Sequence, residues 1–337
     1  MRKTGLGNLG RFIRGVKLLE KEDKEMDNIL ITGGSGFIGS YVAKKLVEEG
    51  NNVVCFDNLI DYSRQTLVGP KAIFHRGDIT RIEELFAAIK EYKINKIVAL
   101  AYLMSAESEK NLQRAVQVNV LGLNNVFEVA RLCDIRKIVF ASSIGFYGHY
   151  SLYGNRPVRE GDFNPPATVY SASKQLNEFM AGRYSDYYQM EIIGIRVSIV
   201  FGSGRKRGLT TWIDNMVTDS LQGVTVNVPR QSNQIVNLIY VKDLAEIFSK
   251  IVLAKKVEHK IYNSGHHAIT LQDFGGIIKK FIPNAKFIFD EQAPPLHLVN
   301  YVDDSRLRRE FQLKDNSLED NILDQIQEIQ NRLSFQA

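Results

Sequence analysis

From residue 28 onward, short apolar runs alternate with stretches in which apolar residues recur at helical spacing. The apolar runs lie at residues 28–32, 52–57, 71–74, 96–101 and 137–142, and the main helical patterns lie at 40–50, 82–92 and 111–133. Because the runs are apolar without polar alternation, they predict strands that are buried on both faces. Strands that alternate with helices predict an α/β fold, in which helices cover both faces of a doubly wound parallel sheet.

A glycine-spaced turn joins the first predicted strand to the first predicted helix. Gly33, Gly36 and Gly39 form the pattern G-x-x-G-x-x-G. The first glycine permits a tight turn, the second lets the backbone approach a pyrophosphate, and the third lets helix and strand pack closely. We therefore predict that these glycines, with Phe37 and Ile38 at the start of the helix, bind the diphosphate of a dinucleotide on free N–H groups at the helix N-terminus.

An acidic residue ends the second predicted strand. Asp57 follows Gly33 by 24 residues, about the spacing at which a carboxylate accepts hydrogen bonds from an adenosine ribose. The alternative is that Asp57 is an ordinary strand-end residue. Its charge would repel a 2′-phosphate, the neighbouring Asn58 supplies no cation, and the nearest arginine is Arg64. We therefore predict a site in which Asp57 and Asn58 contact NAD rather than NADP.

Two later segments contain polar side chains that are candidates for catalysis. Ser143 ends a predicted strand, at the edge where open α/β sheets bind their ligands. Tyr170 and Lys174 are four residues apart on a predicted helix, so their side chains share one face. A phenol of pKa ~10 becomes a base at neutral pH when an ammonium and a nicotinamide cation lower its pKa by about two to three units, or about 3–4 kcal/mol. We predict Tyr170 as base, Ser143 as the group that holds the substrate oxygen, and Lys174 as electrostatic support that also holds the nicotinamide ribose. A surface pair is the alternative for the tyrosine and lysine.

Charge and composition exclude several other classes of protein. The net charge of +5 comes entirely from residues 1–19, which contain five basic residues and no acid; the other 38 basic residues balance 38 acidic ones. This balance gives no support to a nucleic-acid-binding face. The apolar runs are shorter than the ~20 residues of a membrane span, so we expect no membrane-spanning helix. Cys55 and Cys133 do not form a disulfide framework, which favours a reducing compartment and a cytoplasmic location.

The first 27 residues differ from the rest of the chain, and we predict that this basic leader lies outside the fold. Apolar residues on one helical face are followed by mixed charges at 20–25. Three interpretations remain open: an extension that precedes Met26, an amphipathic helix that docks on a partner subunit, and a targeting peptide.

These motifs together resemble those of the extended short-chain dehydrogenase/reductases, also called the NAD-dependent epimerase/dehydratase family. The resemblance extends from residue 28 to about 315. It depends on motifs that occur in one order: the glycine turn at 32–39, Asp57, Gly77-Asp78, Asn119 within 118–122, Ser142-Ser143, Tyr147-Gly148, Tyr170 with Lys174, and the segment 240–243.

The resemblance implies further cofactor contacts and a domain organisation. Asp78 and Ile79 are expected to contact the adenine, and Leu100 and Ala101 the cofactor backbone. Asn119, also counted among the cofactor-binding residues, is expected to contact the central helix. Residues 28–197 are expected to form the NAD-binding domain. Residues 198–337 are expected to form mainly a smaller substrate lobe, with about 238–252 returning to the first domain. Family members commonly dimerise through two long helices, here about 111–133 and 168–187, so we expect a homodimer.

Departures from the family pattern narrow the substrate. Val236 and Gln292 stand where sugar-nucleotide 4-epimerases usually carry arginines for the diphosphate, and Ile144-Gly145 replaces the acid pair of dehydratases. The segments 104–107, 142–144 and 302–305 are instead similar to L-threonine 3-dehydrogenases of the family. Ser105 and Arg205 are therefore predicted, with Ser143 and Tyr170, to contact substrate. For the basic residues 205–207, a solvated loop is the competing interpretation, and it is the one favoured for the loop as a whole.

These observations predict reversible, NAD-dependent hydride transfer at a secondary alcohol of a small polar substrate, either L-threonine-like or sugar-derived. One alternative is a nucleotide-sugar 4-epimerase that retains its NAD. A second alternative is a non-catalytic, NAD-sensing partner protein. No carboxylate or cysteine accompanies His266-His267 at ligand spacing, so we expect no metal site there.

Overall fold

The computed structural model describes residues 26–265, 267–314 and 316–334. The predictions for the basic leader up to residue 25 and for His266 lie outside the described residues. Within the described part of the chain, no helix combines the length and the apolar composition needed to cross a membrane.

Twelve strands form three sheets in the described residues. They are β1 Asn28–Thr32, β2 Asn52–Asp57, β3 Ala72–Arg76, β4 Lys96–Ala99, β5 Lys137–Ser143, β6 Glu191–Val197, β7 Ile199–Phe201, β8 Val226–Val228, β9 Ile235–Tyr240, β10 Ile261–Asn263, β11 His267–Thr270 and β12 Phe287–Phe289. The largest sheet has seven strands in the order β10-β6-β5-β4-β1-β2-β3, and every neighbouring pair is parallel. The predicted doubly wound parallel sheet is confirmed.

The direction of winding reverses between β1 and β4, where the chain leaves one edge of the sheet and begins to build toward the other. Such a switch point opens a crevice outside the carboxyl ends of the strands, and open α/β sheets bind ligands there. The glycine turn after β1, the segment after β4 and the serine that ends β5 all lie at this edge.

The α-helices are α1 Phe37–Glu48, α2 Tyr62–Val68, α3 Ile82–Glu91, α4 Ser105–Lys110, α5 Leu112–Ala115, α6 Leu123–Leu132, α7 Val169–Tyr188, α8 Thr211–Leu221, α9 Val241–Leu253, α10 Leu271–Phe281, α11 Ser305–Phe311 and α12 Leu318–Ser334. Short 3₁₀ helices span Ile144–Tyr147 and Tyr150–Leu152.

The single helix predicted at 111–133 is interrupted. Its middle, Val116–Gly122, is π-helical and joins α5 to α6. The segment 104–107 enters the short helix α4. The apolar periodicity that predicted the long helix does not distinguish α-helical from π-helical turns, and π turns often occur at functional sites.

Alternation along the strands divides the core between the two faces of the sheet. In β1, Ile29 and Ile31 pack on the face covered by α1 and α9, whereas Leu30 packs on the opposite face with α3, α6 and α7. All three side chains are fully buried. Burial on both faces explains why the sequence shows continuous apolar runs in these strands.

Two smaller sheets follow β6 in the chain: the three-stranded sheet β11-β9-β7 and the two-stranded sheet β12-β8. Helix α9, which contains most of the segment 238–252, packs on α1 and on the main sheet. The chain then adds β10 to the main sheet beside β6, a pairing that the sequence analysis did not predict.

Candidate active site

The packing around the glycine turn leaves no space for a Cβ atom at Gly33 or Gly39. The φ angle of Gly33 is +71°, and a Cβ there would lie 2.7 Å from the Ala101 nitrogen. A Cβ on Gly39 would lie 2.1 Å from the Gly33 carbonyl oxygen. Gly36 caps α1 with extended backbone and has no capping side-chain hydrogen bond. The turn therefore presents the N-terminus of a 12-residue helix at the crevice, which fits a dinucleotide diphosphate.

Asp57 stands beside this turn at the end of β2. Its carboxylate accepts hydrogen bonds from the backbone N–H of Ser35 at 3.1 Å and of Leu59 at 3.2 Å. Burial raises the pKa of Asp57, and these backbone hydrogen bonds oppose that effect. Arg64, the arginine nearest to Asp57 in the sequence, donates a hydrogen bond to the Gly204 carbonyl. Asn58 follows Asp57 and is exposed.

The remaining predicted cofactor residues line the same edge of the sheet. Leu100 N donates to Thr32 O at 2.9 Å, which fixes the segment after β4 next to the glycine turn. The carboxylate of Asp78 accepts hydrogen bonds from Thr80 and, at 3.1 Å, from Arg114. Ile79 is buried, with 5% of its surface exposed.

Asn119 binds two neighbouring parts of the protein. It is fully buried in the π-helical segment, and its amide binds the backbone N–H and carbonyl of Leu103 at 2.8 and 3.1 Å. Its own carbonyl accepts a 2.8 Å hydrogen bond from Asn177. These contacts hold the π-helical segment against Leu103 and against α7, and the assignment of Asn119 to the cofactor site stays a prediction.

The structure brings Ser143, Tyr170 and Lys174 together. Thr168 caps α7 by accepting a hydrogen bond from Ser171 N, so that Tyr170 lies in the first turn of the helix and Lys174 in the second. The Lys174 Nζ donates to the carbonyl of Ala141 in β5 at 2.7 Å. The side chain of Ser143 lies near the Tyr170 hydroxyl and lowers its pKa, and the Ser143 hydroxyl accepts a hydrogen bond from Gly145 N at 3.1 Å.

Burial dominates the electrostatics of this cluster in the protein without cofactor. Burial raises the pKa of Tyr170, and the nearby Ser143 side chain and the charge of Arg205 offset only part of that rise. Burial also lowers the pKa of Lys174 to about 7, against the opposing charge of Glu178. The lowering of the Tyr170 pKa by the ammonium together with a nicotinamide cation stays a prediction for the cofactor complex.

Arg205 is not part of a solvated loop, so that interpretation is wrong for this residue. Only 9% of its side chain is exposed, and it donates to the Val200 carbonyl at 2.7 Å. Its guanidinium lies 3.8 Å from the carboxylate of Asp214, whose pKa burial raises to about 7. A buried cation whose field reaches Tyr170 is suited to hold an anionic group of a substrate.

Behind the cluster lies a buried ion pair that the sequence analysis did not identify. Arg196 of β6 binds the carboxylate of Glu178 through two hydrogen bonds, at 2.9 and 2.7 Å. Ser142 donates to the same carboxylate at 2.5 Å. The pair therefore ties α7 to β5 and β6 from below. In the sequence, the only indication of this ion pair is the position of Glu178, four residues after Lys174 and therefore on the same helical face.

The predicted substrate residue Ser105 begins α4, a helix that packs against α7. The neighbouring Met104 approaches the loop of Arg205: a Cβ on Gly208 would lie 3.5 Å from the Met104 methyl and 2.8 Å from the Arg205 guanidinium. The 104–105 and 205–208 segments therefore face each other.

Comparison with known proteins relates this geometry to one family. A sequence model described as the NAD dependent epimerase/dehydratase family matches residues 29–265. A putative UDP-glucose 4-epimerase of Methanocaldococcus jannaschii is 33% identical over 227 residues, which cover 65% of this chain and 71% of that protein.

Solved structures share the fold. The UDP-glucose 4-epimerase of Thermus thermophilus, in complex with NAD, aligns over 90% of this chain and 99% of its own, with a TM-score of 0.79 and 23% identity. An L-threonine dehydrogenase of Clostridium difficile aligns over 91% of this chain and 98% of its own, with a TM-score of 0.81 and 23% identity.

We expect Gly39→Ala to weaken NAD binding by at least about tenfold, or 1.4 kcal/mol. The added Cβ would lie 2.1 Å from a backbone oxygen, so the turn must open and the helix N-terminus must shift. Isothermal titration with NAD measures the change. Gly276→Ala is the matched control, because a Cβ there meets nothing within 4 Å. Equal affinities for the two variants would contradict this role of the turn.

We expect Lys174→Met to stabilise the cofactor-free protein at neutral pH. Burial lowers the pKa of Lys174 from 10.5 to about 7, so between these values the unfolded chain binds more protons than the folded one. The cost of the buried lysine is therefore fully present below pH 7 and disappears as the pH rises toward 10.5. Urea unfolding from pH 6 to pH 10 should show a stability gap between variant and wild type that closes with pH. The exposed Lys71→Met serves as control, and a gap independent of pH would contradict the assignment.

Proposed function

The chain belongs to the NAD-dependent epimerase/dehydratase family, and we propose that it is an oxidoreductase that transfers hydride reversibly between NAD and a secondary alcohol of a small polar substrate. The observation that carries this proposal is the meeting of Ser143, Tyr170 and Lys174 at the carboxyl edge of the sheet, on the same side as the glycine turn.

When bound, NAD supplies the hydride acceptor and a positive charge. The protein's own groups then divide the remaining work. Tyr170 takes the proton of the substrate hydroxyl, and Ser143 holds that oxygen by a hydrogen bond. Lys174, anchored on the Ala141 carbonyl, stabilises the phenolate form of Tyr170. The raised pKa of Tyr170 in the protein alone implies that Tyr170 becomes a base only once further positive charge is present.

The cofactor site that we propose follows the crevice from one side of the switch point to the other. The diphosphate lies on the glycine turn, the adenosine ribose on Asp57, and the nicotinamide end at Tyr170 and Lys174. The complete set of proposed contacts is Gly33, Gly36, Phe37, Ile38, Gly39, Asp57, Asn58, Asp78, Ile79, Leu100, Ala101, Tyr170 and Lys174, with Asn119 supporting them from behind.

We propose an L-threonine-like substrate with a carboxylate. Val236, where the resemblance expects an arginine for a sugar diphosphate, is buried in β9 with 1% exposed. Arg205 instead supplies a buried cation at the cluster, and Ser105 stands on the facing segment. One cation suits a carboxylate better than a diphosphate, which usually recruits more than one charged partner.

We also propose a homodimer. Two helical surfaces, that of the 112–132 segment and that of α7, expose large apolar side chains to solvent: Leu112, Val116, Leu121, Leu132, Leu176, Phe179, Tyr187 and Tyr188. Exposed apolar patches of this kind mark association surfaces. Both cysteines are free thiols, which supports the proposal of a reducing, cytoplasmic location.

A 4-epimerase that retains its NAD is the second candidate, favoured by the 33% identity to a putative UDP-glucose 4-epimerase. The two candidates differ in the fate of the hydride. A dehydrogenase releases NADH, whereas an epimerase returns the hydride to its own keto intermediate. Incubation with NAD and either L-threonine or UDP-galactose, followed at 340 nm and by product analysis, distinguishes them.

We expect NADH to accumulate with L-threonine or a related hydroxy acid. Tyr170→Phe should lower kcat/KM by about 10²–10⁴-fold, because the proton acceptor is lost. Tyr62→Phe, at a tyrosine that is 79% exposed, is the matched control. Conversion of UDP-galactose without NADH release would establish the epimerase instead. Unchanged kcat/KM in Tyr170→Phe would contradict the role of Tyr170 as base. A biological role that survives Tyr170→Phe unchanged would favour the non-catalytic, NAD-sensing alternative.

A further inference from the structure

Tyr102 lies inside the cluster, although no motif of the sequence analysis included it. It follows β4 by three residues, at the same sheet edge as the glycine turn. Its ring centroid is 3.3 Å from the Lys174 Nζ. The same ring packs edge-to-face on Tyr170, with the two centroids 5.4 Å apart and an interplanar angle of 85°. Tyr102 thus contacts both the proposed base and its cationic neighbour.

We propose that Tyr102 is a positioning residue, whose ring face holds the Lys174 ammonium in its charged form against the carbonyl at the end of β5. The ammonium has three N–H groups: one donates to the Ala141 carbonyl at 2.7 Å, and the electron-rich ring lies on another side. A cation over an aromatic face is stabilised most where water is excluded, and Lys174 is 2% exposed.

The other charged groups around Lys174 are already engaged. Glu178, one turn along α7, is bound by both Arg196 and Ser142, so much of its charge is compensated. Arg205 acts on Tyr170 and is paired with Asp214. Tyr170 itself is neutral in the protein alone, because burial raises its pKa. Besides the Ala141 carbonyl, the ring of Tyr102 at 3.3 Å is therefore the nearest uncharged group that favours the charged lysine, and the Tyr170 ring lies farther away at 5.4 Å.

The hydroxyl of Tyr102 contacts side chains of α7. It accepts a hydrogen bond from Asn177 at 3.4 Å and lies near Ser173. Asn177 in turn donates to the Asn119 carbonyl in the π-helical segment. These contacts set the angle of the ring, so the ring face carries the effect and the hydroxyl serves to orient it.

The consequence for the reaction depends on the proposed function. A lysine that stays charged at neutral pH favours the phenolate of Tyr170, so loss of the ring face should move the pH at which the base becomes active. The effect on the lysine itself does not depend on any reaction. The two effects can therefore be tested separately.

The experiment compares Tyr102→Phe, which keeps the ring face, with Tyr102→Leu, which keeps apolar volume without it. In each background, the pH dependence of urea unfolding is measured with Lys174 and with Lys174→Met, in full-length protein without cofactor. The difference in the free energy of unfolding between the Lys174 and Lys174→Met proteins stops changing with pH below the pKa of Lys174 in the folded state. The pH at which this difference becomes constant therefore reports that pKa. We expect this pH to be unchanged in Tyr102→Phe and lower by about 0.4–1.5 pH units in Tyr102→Leu.

Equal values in the two variants, or a higher value in Tyr102→Leu, would overturn the proposal. Tyr102→Met replaces the leucine variant should that one fail to fold, with the same expected direction. The second readout is the pH profile of kcat/KM with NAD and the substrate established for the wild type. Its acidic limb should move to higher pH in Tyr102→Leu and stay in place in Tyr102→Phe. A uniform loss of activity without movement of that limb would indicate a merely structural role. Absence of wild-type turnover would count against the proposed function, and the unfolding result would still decide the role of Tyr102.

Discussion

The docking of α7 on the end of β5 is the constraint on which the rest of the site depends. The strand ends at Ser143, and two residues earlier its Ala141 carbonyl binds the Lys174 ammonium at 2.7 Å. Below this contact, the Glu178–Arg196 pair ties the same helix to β6. These two attachments fix the rotation of α7 about its axis. They therefore decide that Tyr170 meets the serine, because a helix turned by one residue would move its side chain by about 100°.

The packing of α7 on β5 buries both the Lys174 ammonium and the Tyr170 phenol, which disfavours the charged form of each. A lysine buried among strands loses its hydration, and a buried phenol resists ionisation for the same reason. In the protein alone, these effects hold the tyrosine protonated and bring the pKa of the lysine to about 7. Binding of a positively charged cofactor beside them would favour the phenolate. Under the proposed function, the arrangement would couple the activity of Tyr170 as a base to the presence of the cofactor, because the charges of the protein alone do not offset the burial of the phenol.

Local sequence was sufficient for much of this account. Continuous apolar runs identified the parallel strands, the glycine spacing identified the turn, and a four-residue spacing placed Tyr170 and Lys174 on one helical face. Each of these depends on residues close together in the chain. Ser143 could be identified because the carboxyl ends of parallel strands meet at one edge of the sheet.

The features that escaped prediction depend on residues far apart in the chain. Burial of Arg205 follows from its packing near Asp214 and the 104–105 segment, and β10 joins the main sheet from a region that the sequence assigned to the other lobe. The direction of the Tyr170 pKa shift in the protein without cofactor depends on how much protein covers the ring, which no motif reports. Tyr102 carries no recognised spacing, and only the fold brings its ring to the lysine.

The central claim is that Tyr170 becomes a phenolate when the positively charged cofactor is bound. Ultraviolet difference titration of the NAD⁺ complex near 295 nm, with Tyr170→Phe subtracted from wild type, measures that ionisation directly. We expect one tyrosine in the difference spectrum, ionising about two pH units or more below the ordinary phenol pKa of ~10. A difference spectrum without any ionisation below pH ~10 would show that Tyr170 is not the base.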